Sequence, residues 1–495
     1  MKQLKNIAWF LPLVVVFFIL HGIVENFGFI YFSELVKITL LIAGCVALFY
    51  LFIKIFIKDK LHAALVCFFI SSWLLFFGAI FEWVKSVRFL YWLHSYTVFV
   101  PFMLLVFLLF ILFIRKKTKL WKKACFYLNV LLLIYCVFDI CALILKSVQP
   151  DNQAIYKPIN FDTAAVKIKP NVYLLLFDEY PGYKSLKDSF AFSNDALYQF
   201  FAEKEFKFLP FFSNYNMTFY SMASMLNMQY IDKPFIPLQN TFENDQQRLK
   251  EIKNAEVIQY FKAMGYRFIN YSIFDILDQP SVKGNSFVIS QATLITNKIF
   301  FNKILKDIGW NFIDGRYKLP YFKYIFMYED RNNKFIEKSL RENKLQNSLS
   351  PQFIYAHFNM PHPPIFYDSI GNYLPIKTML DQQSYFDKQN FLSQLKYTNT
   401  KIESLVTKIC KNDPAAIVIV MSDHGYRGYN NTNIIEPLQF DNICAVRFPD
   451  KNYLPKNEKW SNVNFFRYLF NCEFNQQIPY LTDSSIFLKD KRPNN

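Results

Sequence analysis

Long apolar stretches crowd the first 150 residues of this 495-residue chain. A helix needs about 20 mostly apolar residues to cross the hydrocarbon core of a bilayer. No small-residue cleavage site follows the first stretch, so we interpret it as a retained helix and not as a signal peptide. The pattern predicts a transmembrane helical domain over residues 1–146. Its five predicted spans are 7–24, 38–57, 62–81, 95–114 and 124–145.

The basic residues between these stretches indicate how the helices cross the membrane. The connection after the fourth stretch carries six Lys or Arg residues between 115 and 123 and no acid, whereas the loops after the first and third stretches are mixed. Loops rich in Lys and Arg stay in the cytoplasm. The N-terminus is therefore predicted to be cytoplasmic, and the chain after about residue 147 is predicted to lie on the opposite side.

The net charge of +16 comes mostly from this same part of the chain. Residues 1–150 hold 15 Lys and Arg against 5 Asp and Glu. Orientation in the membrane explains such an excess. We therefore expect no nucleic-acid partner.

The remaining residues have the pattern of a soluble α/β domain. Residues 147–170 contain Pro150, Pro158 and Pro170 and are predicted to form a linker. Within 171–495, apolar runs typical of buried strands alternate with helical patterns, which predicts a mainly parallel sheet with flanking helices. The strand runs are 171–177, 352–358 and 415–421, and the helical patterns cover 195–205, 246–264, 292–307, 330–343 and 379–411.

Acids and histidines follow or end each of the three strand runs. Ligands of such sheets bind at the carboxyl ends of the strands, so we expect these side chains to meet there and to bind a metal ion. The side chains are Asp178 and Glu179 after the first run, His357 and His362 at the second, and Asp423 and His424 after the third.

A hydroxyl-rich segment between the first two runs contains Thr218 at a predicted helix start. The N–H groups at a helix N-terminus favour phosphate, so Thr218 is either a nucleophile or an ordinary N-cap residue. Asn214 in the same segment is a candidate for substrate binding. Arg427 either holds a phosphate oxygen or forms a surface salt bridge. Cysteines show no metal-binding spacing, and one disulfide among Cys410, Cys444 and Cys472 is possible.

Four motifs together resemble the alkaline phosphatase superfamily in its sulfatase-like branch. The resemblance extends to membrane phosphotransferases such as lipoteichoic acid synthases and lipid A phosphoethanolamine transferases, which have five N-terminal helices and one extracytoplasmic catalytic domain. It implies a multi-pass protein of a bacterial-type cytoplasmic membrane. The motifs are FDEY from Phe177, NMTFYSMAS from Asn216, AHFNMPHPP from Ala356 and SDHG from Ser422.

The resemblance also implies a role for each candidate residue. Asp423 and His424 correspond to metal ligands, and Thr218 to a nucleophile that itself binds the metal. The first acidic ligand is Asp178 or Glu179, and we expect Asp178 because it directly follows the apolar run. The two histidines of the second run, His357 and His362, resemble residues that receive the substrate phosphate or protonate the leaving group.

Two departures from the family pattern narrow the expected chemistry. The segment around Thr218 lacks the C/S-x-P-x-R motif of sulfatases, which argues against hydrolysis of sulfate esters. No histidine follows His424, although two-metal relatives need one there. We therefore expect one divalent metal ion, zinc or manganese, since both suit an Asp, His and Thr ligand set.

The expected function is transfer of a phospho-headgroup from a membrane lipid donor through a phospho-threonine intermediate. The expected acceptor is a glycan, a lipid or a polymer of the cell envelope. Two alternatives stay open. The same site would act as a phosphodiesterase or sulfatase-like hydrolase with water as acceptor, or the chain would be a non-enzymatic membrane receptor or scaffold.

Overall fold

The computed structural model describes most of the chain and divides it into two compact units. One unit holds Met1–Asp151 and Ser286–Phe322, and the other holds Asn152–Asn285 and Lys323–Asn495. The described residues are 7–28, 30, 32–116, 118–148, 159–231, 239–240, 242–281, 293–309, 311–314, 323–324, 326–342, 350–381, 387–428, 436–455 and 460–490.

The first unit is helical. Its helices are Phe10–Glu25, Phe32–Phe56, Lys60–Leu75, Phe77–Ser86, Tyr96–Lys116, Thr118–Val148, Thr293–Thr296, Phe300–Ile308 and Asn311–Asp314. Many large apolar side chains of the long helices face outward, among them Leu40, Leu48 and Phe138. Such outward apolar surfaces suit a hydrocarbon environment.

Three helices of this unit are long and apolar enough to cross a membrane, and a fourth span is formed if a bent pair counts as one. The three are Phe32–Phe56, Tyr96–Phe113 and Lys123–Val148, and the pair Lys60–Leu75 and Phe77–Ser86 is bent by 66°. The helix Phe10–Glu25 has 16 residues, or about 24 Å at 1.5 Å per residue. Three or four of the five predicted spans therefore meet this length, and the crossing of the short helix Phe10–Glu25 stays a prediction.

A segment from the second half of the sequence packs among these helices. The backbone N–H of Gly78 donates to the Lys298 carbonyl at 2.7 Å, and a Cβ atom on Gly78 would lie 2.8 Å from that same carbonyl oxygen. Trp73 packs against Phe300 with ring centroids 5.0 Å apart. The helical pattern 292–307, assigned from the sequence to the soluble domain, thus belongs to the helical unit.

The second unit is built on a six-stranded sheet in the order β2-β8-β7-β1-β6-β5. The central pairs β7-β1, β1-β6 and β6-β5 are parallel, and β8 and β2 add an antiparallel edge. The sheet is therefore mainly parallel, as predicted. The strands are β1 Val172–Phe177, β2 Lys207–Phe208, β3 Phe211–Phe212, β4 Gln239–Asn240, β5 Arg267–Tyr271, β6 Gln352–Phe358, β7 Ile417–Met421, β8 Cys444–Arg447, β9 Trp460–Ser461 and β10 Lys489–Asp490.

Helices cover both faces of this sheet. Every residue of β1, β6 and β7 is buried, and alternate residues of each strand belong to two separate apolar cores. Cys410 and Cys472 are free thiols, so neither forms the disulfide that the sequence left possible. The helices are Tyr183–Phe190, Asp195–Glu203, Thr218–Asn227, Phe242–Lys253, Glu256–Ala263, Tyr328–Glu342, Ile376–Leu380, Lys388–Asn412 and Phe465–Glu473.

The predicted helix 246–264 is two helices separated by Asn254 and Ala255. The side-chain oxygen of Asn227, from another helix, accepts the backbone N–H of Glu256 at 3.1 Å. This contact satisfies one of the N–H groups that a new helix start leaves unpaired. The break depends on a distant residue, so the local periodicity did not reveal it.

A matched pair of substitutions tests the sheet core. Ile354 of β6 is fully buried, whereas Ile370 is 79% exposed. We expect Ile354→Ala to destabilise the protein by about 2–5 kcal/mol, because it removes buried methyl groups and leaves a cavity. Ile370→Ala should change stability by less than about 0.5 kcal/mol. Thermal unfolding of the full chain in detergent measures both, and equal melting temperatures would contradict this assignment of the core.

Candidate metal centre

Three neighbouring strands deliver the predicted site residues to one edge of the sheet. Leu176 of β1 is paired with His357 of β6 and with Met421 of β7, so the carboxyl ends of the strands are level. Asp178 follows β1, and Asp423 and His424 follow β7. The sheet register thereby brings together side chains that are about 245 residues apart in sequence.

Asp178, Asp423 and His424 form a buried cluster that could hold a metal ion. One ligand atom from each lies within 4.8 Å of the others. The Nε2 atom of His424 is 3.3 Å from Asp423 Oδ2 and 3.8 Å from Asp178 Oδ1. Ligand atoms around a tetrahedral ion with bonds of about 2.0–2.2 Å lie roughly 3.3–3.6 Å apart, so these separations suit one ion.

The hydrogen bonds around the cluster also suit a metal ion. Asp178 Oδ1 and Asp423 Oδ2 are buried and make no hydrogen bond to any described residue. His424 Nδ1 lies 2.8 Å from the Gly425 carbonyl, which assigns the proton to Nδ1 and leaves the Nε2 lone pair for a metal. Two bare carboxylate oxygens and the imidazole Nε2 make a donor set that fits zinc or manganese.

Gly425 keeps the backbone of this cluster in place. Its N–H donates to the Gln439 carbonyl at 2.8 Å, and a Cβ atom at this position would lie 2.4 Å from the Asp441 carbonyl oxygen. No side chain fits there without displacing the backbone. The glycine of the SDHG motif is therefore a packing requirement.

Thr218 stands beside the cluster. Its Oγ1 atom is 3.1 Å from His424 Nε2, and Thr218 is the first residue of the helix Thr218–Asn227. Met217 occupies the N-cap position and makes no side-chain cap bond, so Thr218 is not the N-cap residue of this helix. The threonine hydroxyl is thus free of a capping role and faces the metal cluster.

The Thr218 helix is joined to the cluster through the backbone of Asp423. Ser221 Oγ, one turn after Thr218, donates to the Asp423 carbonyl at 2.6 Å. Asn462 Nδ2 donates to the same carbonyl at 2.9 Å. These bonds fix the position of the Thr218 hydroxyl relative to the Asp423 carboxylate. No sequence pattern indicated that Asn462 takes part.

The Glu179 carboxylate is turned toward Arg427 and His362. Its backbone has a φ of 62°, a left-handed conformation that is uncommon for a residue with a side chain. Its backbone N–H donates to Asp423 Oδ1 at 3.2 Å, while its carboxylate accepts the N–H of Arg427 at 2.5 Å. Of the two acids that follow β1, the geometry groups Asp178 with the metal ligands.

Arg427 and His362 lie together on the Glu179 side. The guanidinium Nη2 atom is 2.9 Å from His362 Nε2 and 3.7 Å from Glu179 Oε2. The Arg427 side chain is only 21% exposed. This arrangement places a cation next to the cluster and does not match a salt bridge on the outer surface.

His357 is fully buried next to Asp178. Its Nε2 atom is 3.6 Å from Asp178 Oδ2, and its Nδ1 atom is 2.9 Å from the hydroxyl of Tyr355. Burial raises the pKa of Tyr355 well above its ordinary value, so the phenol keeps its proton. Tyr355 precedes His357 by two residues in β6, and residues so spaced share a face of a strand.

Charges in the site shift two further pKa values. Burial raises the pKa of Asp178, but the neighbouring His362 and the other two histidines lower it by more, so this carboxyl ionises below its usual range. Burial lowers the pKa of His362, but Asp178 and Glu179 raise it by more. The site therefore favours an ionised Asp178, and the pKa of His362 is raised despite the opposing effect of Arg427.

The hydrogen bonds of Asn214 differ from the substrate-binding role that the sequence suggested. Asn214 donates to the Tyr230 hydroxyl and the Ser484 carbonyl and accepts the N–H of Val463. These bonds fasten the C-terminal segment and involve no metal-cluster residue, so the geometry offers no support for substrate binding by Asn214.

Glu329 was missed by the sequence reasoning. Its Oε2 atom accepts from Asn359 at 2.8 Å, and its charge acts on His362. Burial raises the pKa of Glu329. The residue precedes β6 by more than 20 positions, and nothing in the local pattern distinguishes it from an ordinary helix acid.

The chain belongs to the sulfatase family. The family model described as Sulfatase matches residues 191–466, more than half of the chain. The match includes Thr218, Asp423 and His424, and it makes this protein an enzyme of that family. No curated protein matches the chain.

Several solved structures are similar to this chain at low identity. The C-terminal periplasmic domain of EcEptC from Escherichia coli, in complex with zinc, is 10% identical with a TM-score of 0.39, over 64% of this chain and 86% of that one. The periplasmic domain of the phosphoethanolamine transferase EptC from Campylobacter jejuni is 11% identical with a TM-score of 0.35, over 65% and 94%. A phosphonate monoester hydrolase from Silicibacter pomeroyi is 12% identical with a TM-score of 0.39, over 64% and 75%.

Two isosteric substitutions test which acid binds the metal. Asp178→Asn should abolish stoichiometric binding of a divalent ion, because it removes a charged ligand from the cluster. Glu179→Gln should keep the ion, because the Glu179 carboxylate faces Arg427. Metal analysis of the purified full chain by mass spectrometry measures both. Loss of the metal in Glu179→Gln with retention in Asp178→Asn would reverse the assignment.

Proposed function

We propose that this protein is a membrane-anchored, metal-dependent phosphotransferase that uses Thr218 as its nucleophile. One observation carries the proposal: the Thr218 hydroxyl lies 3.1 Å from His424 Nε2, at the edge of the buried Asp178, Asp423 and His424 cluster. A hydroxyl in this place is suited to attack phosphorus. The group transferred is the phospho-headgroup of a membrane lipid.

The helix that begins at Thr218 supports this role. Its first N–H groups have no partner within the helix, and the positive end of its dipole favours a phosphate group. A divalent ion held by Asp178, Asp423, His424 and Thr218 would lower the pKa of the threonine hydroxyl and withdraw charge from the phosphate. The hydroxyl proton is then lost to solvent before the attack.

Transfer to the enzyme forms one bond and breaks one. The Thr218 oxygen bonds to phosphorus, and the bond from phosphorus to the diacylglycerol oxygen breaks. His362 protonates this leaving oxygen, since its side chain is 25% exposed and can exchange protons with solvent. His357 is fully buried, and we assign it to holding a phosphate oxygen.

The second half of the reaction releases the enzyme. A hydroxyl of the acceptor attacks the phosphorus, its proton passes to the now neutral His362, and the Thr218 oxygen leaves. Arg427 lies beside His362 and can hold a phosphate oxygen through both halves. The acceptor is a glycan, a lipid or a polymer of the cell envelope, and with water the same steps amount to hydrolysis.

The charges of the loops support an extracytoplasmic catalytic unit. The basic connection 115–123 precedes the last long helix, Lys123–Val148. If that connection is cytoplasmic, the chain after Val148 is on the outer side whether or not the short helix Phe10–Glu25 crosses. We propose this orientation in a bacterial-type cytoplasmic membrane, where lipid donors are directly accessible.

Substitution of Thr218 tests the nucleophile. We expect Thr218→Ala to reduce headgroup transfer by at least about 100-fold, because the covalent step is lost, and Thr218→Ser to retain part of it. The assay uses membranes with phospholipid labelled in the headgroup phosphate and follows label in both acceptor and water-soluble products. Mass spectrometry of the peptide that contains Thr218 should show a headgroup-phosphate adduct in the unsubstituted protein.

The two product classes separate the alternatives. Label on a second envelope molecule supports transfer, whereas label released only as free headgroup phosphate identifies a hydrolase. Ser213→Ala provides a control, because this buried hydroxyl lies in the same segment and outside the cluster. Undiminished activity of Thr218→Ala would exclude the threonine mechanism.

Reporter fusions test the orientation. A fluorescent protein that folds only in the cytoplasm should be bright when it is fused after Lys58 and dark when it is fused after Asn495. A fusion after Phe32 reports on the first helix and should be dark if Phe10–Glu25 crosses. Bright fluorescence after Asn495 would place the catalytic unit in the cytoplasm and contradict the proposal.

A further inference from the structure

A cavity lies in the catalytic unit, apart from the metal cluster. Its volume is about 850 Å³, within the range of 300–1,000 Å³ that is usual for ligand sites. None of the metal-cluster residues lines it. We call it the amide cavity, defined by Ile159, Asn160, Tyr230, Arg467, Asn475 and Gln477.

Uncommitted side-chain amides line this cavity. Asn160, Asn475 and Gln477 are exposed, and their side chains make no hydrogen bond to the described part of the chain. Each amide offers both a donor and an acceptor. Asp162 also lines the cavity and accepts the Ala164 N–H at 2.9 Å. Hydroxyl groups, which donate and accept at once, are the natural complement of such a lining.

A single buried cation lies in the wall of the cavity. Arg467 is 4% exposed and donates to the carbonyls of Met228 and Pro479. Among the described residues it forms no ion pair with a carboxylate. A guanidinium has five N–H groups, and these bonds leave one on each terminal nitrogen. The cavity therefore combines hydroxyl-binding amides with one guanidinium, whose charge is balanced by the Asp162 carboxylate in the same lining.

We propose that the amide cavity binds a short glycan that carries a negatively charged group. The amides bind its hydroxyls, and Arg467 binds its carboxylate or phosphate. Apolar surface from Ile159, Pro479 and Leu481 packs against the sugar faces. A bare phosphate ion would leave the amides and most of the volume unused, so the chemistry favours a glycan.

The cavity lies at the opposite end of the Thr218 helix from the metal cluster. Thr218 begins this helix, whereas Met228, whose carbonyl Arg467 binds, directly follows its last residue, Asn227. Ten helical residues extend about 15 Å. A bound glycan therefore does not compete with a phosphate at Thr218. The bound glycan holds an acceptor chain near Thr218. This role rests on the proposed function, whereas the binding of the glycan does not depend on it.

The test measures binding of trigalacturonate, an anionic trisaccharide, to the full chain in detergent by calorimetry. We expect saturable binding that is weaker for neutral maltotriose and weaker still for inorganic phosphate. Asn475→Gly and Gln477→Ala should each weaken trigalacturonate binding by about 2- to 10-fold. Asn475 has a φ of 52°, and glycine keeps that backbone while it removes the amide.

Two further variants make the test specific. Ala165→Trp should abolish binding, because Ala165 lines the cavity and an indole would fill it. Gln389→Ala removes an exposed amide from the helix Lys388–Asn412 and should leave binding unchanged. Arg467 itself is left intact, because its bonds to Met228 and Pro479 also stabilise the fold.

Three results would overturn the proposal. The first is absence of trigalacturonate binding, and the second is phosphate binding as tight as that of the trisaccharide. The third is binding that Ala165→Trp leaves intact and that Thr218→Ala or Asp423→Ala removes, since the sugar would then occupy the metal site. Transfer that persists in Thr218→Ala would contradict the proposed function alone and would leave the binding result unaffected.

Discussion

The site depends on negative charge that the fold buries at the end of its central strands. Asp178 is 3% exposed and Asp423 is fully buried, and each has a carboxylate oxygen with no hydrogen-bond partner among the described residues. An isolated buried charge is very costly unless a counter-charge accompanies it. A divalent ion between these oxygens and His424 Nε2 would remove that cost. Metal binding would then stabilise this edge of the sheet.

The two adjacent acids after β1 serve different partners because the backbone turns between them. Asp178 continues from the strand toward the cluster, whereas Glu179, at a φ of 62°, sends its carboxylate to Arg427. Asp178 would thus bind the ion, whereas Glu179 positions the Arg427 cation beside His362. In the proposed transfer, Arg427 would provide a second positive group for the phosphate.

The sequence pattern predicted the strands correctly where interactions between neighbouring residues determine the structure. The runs that became β1, β6 and β7 were recognisable because strands buried on both faces are continuously apolar, and all three ended within two residues of their predicted bounds. The break at Asn254 and the packing of Gly78 against Lys298 escaped prediction. Both depend on contacts between residues that are far apart in sequence.

The sequence by itself determined the apolar helices, the α/β class and the cluster candidates Asp178, Thr218, Asp423 and His424, because periodicity and strand-end position follow from the local chain. The position of Asp178 directly after the apolar run also favoured it over Glu179 as the first acidic ligand, and the structure groups it with Asp423 and His424. Only the tertiary structure turned the Glu179 carboxylate to Arg427, brought Arg427 to His362 and tied Asn214 to the C-terminal segment. Those outcomes depend on strand register and on one left-handed backbone angle, which no local pattern encodes.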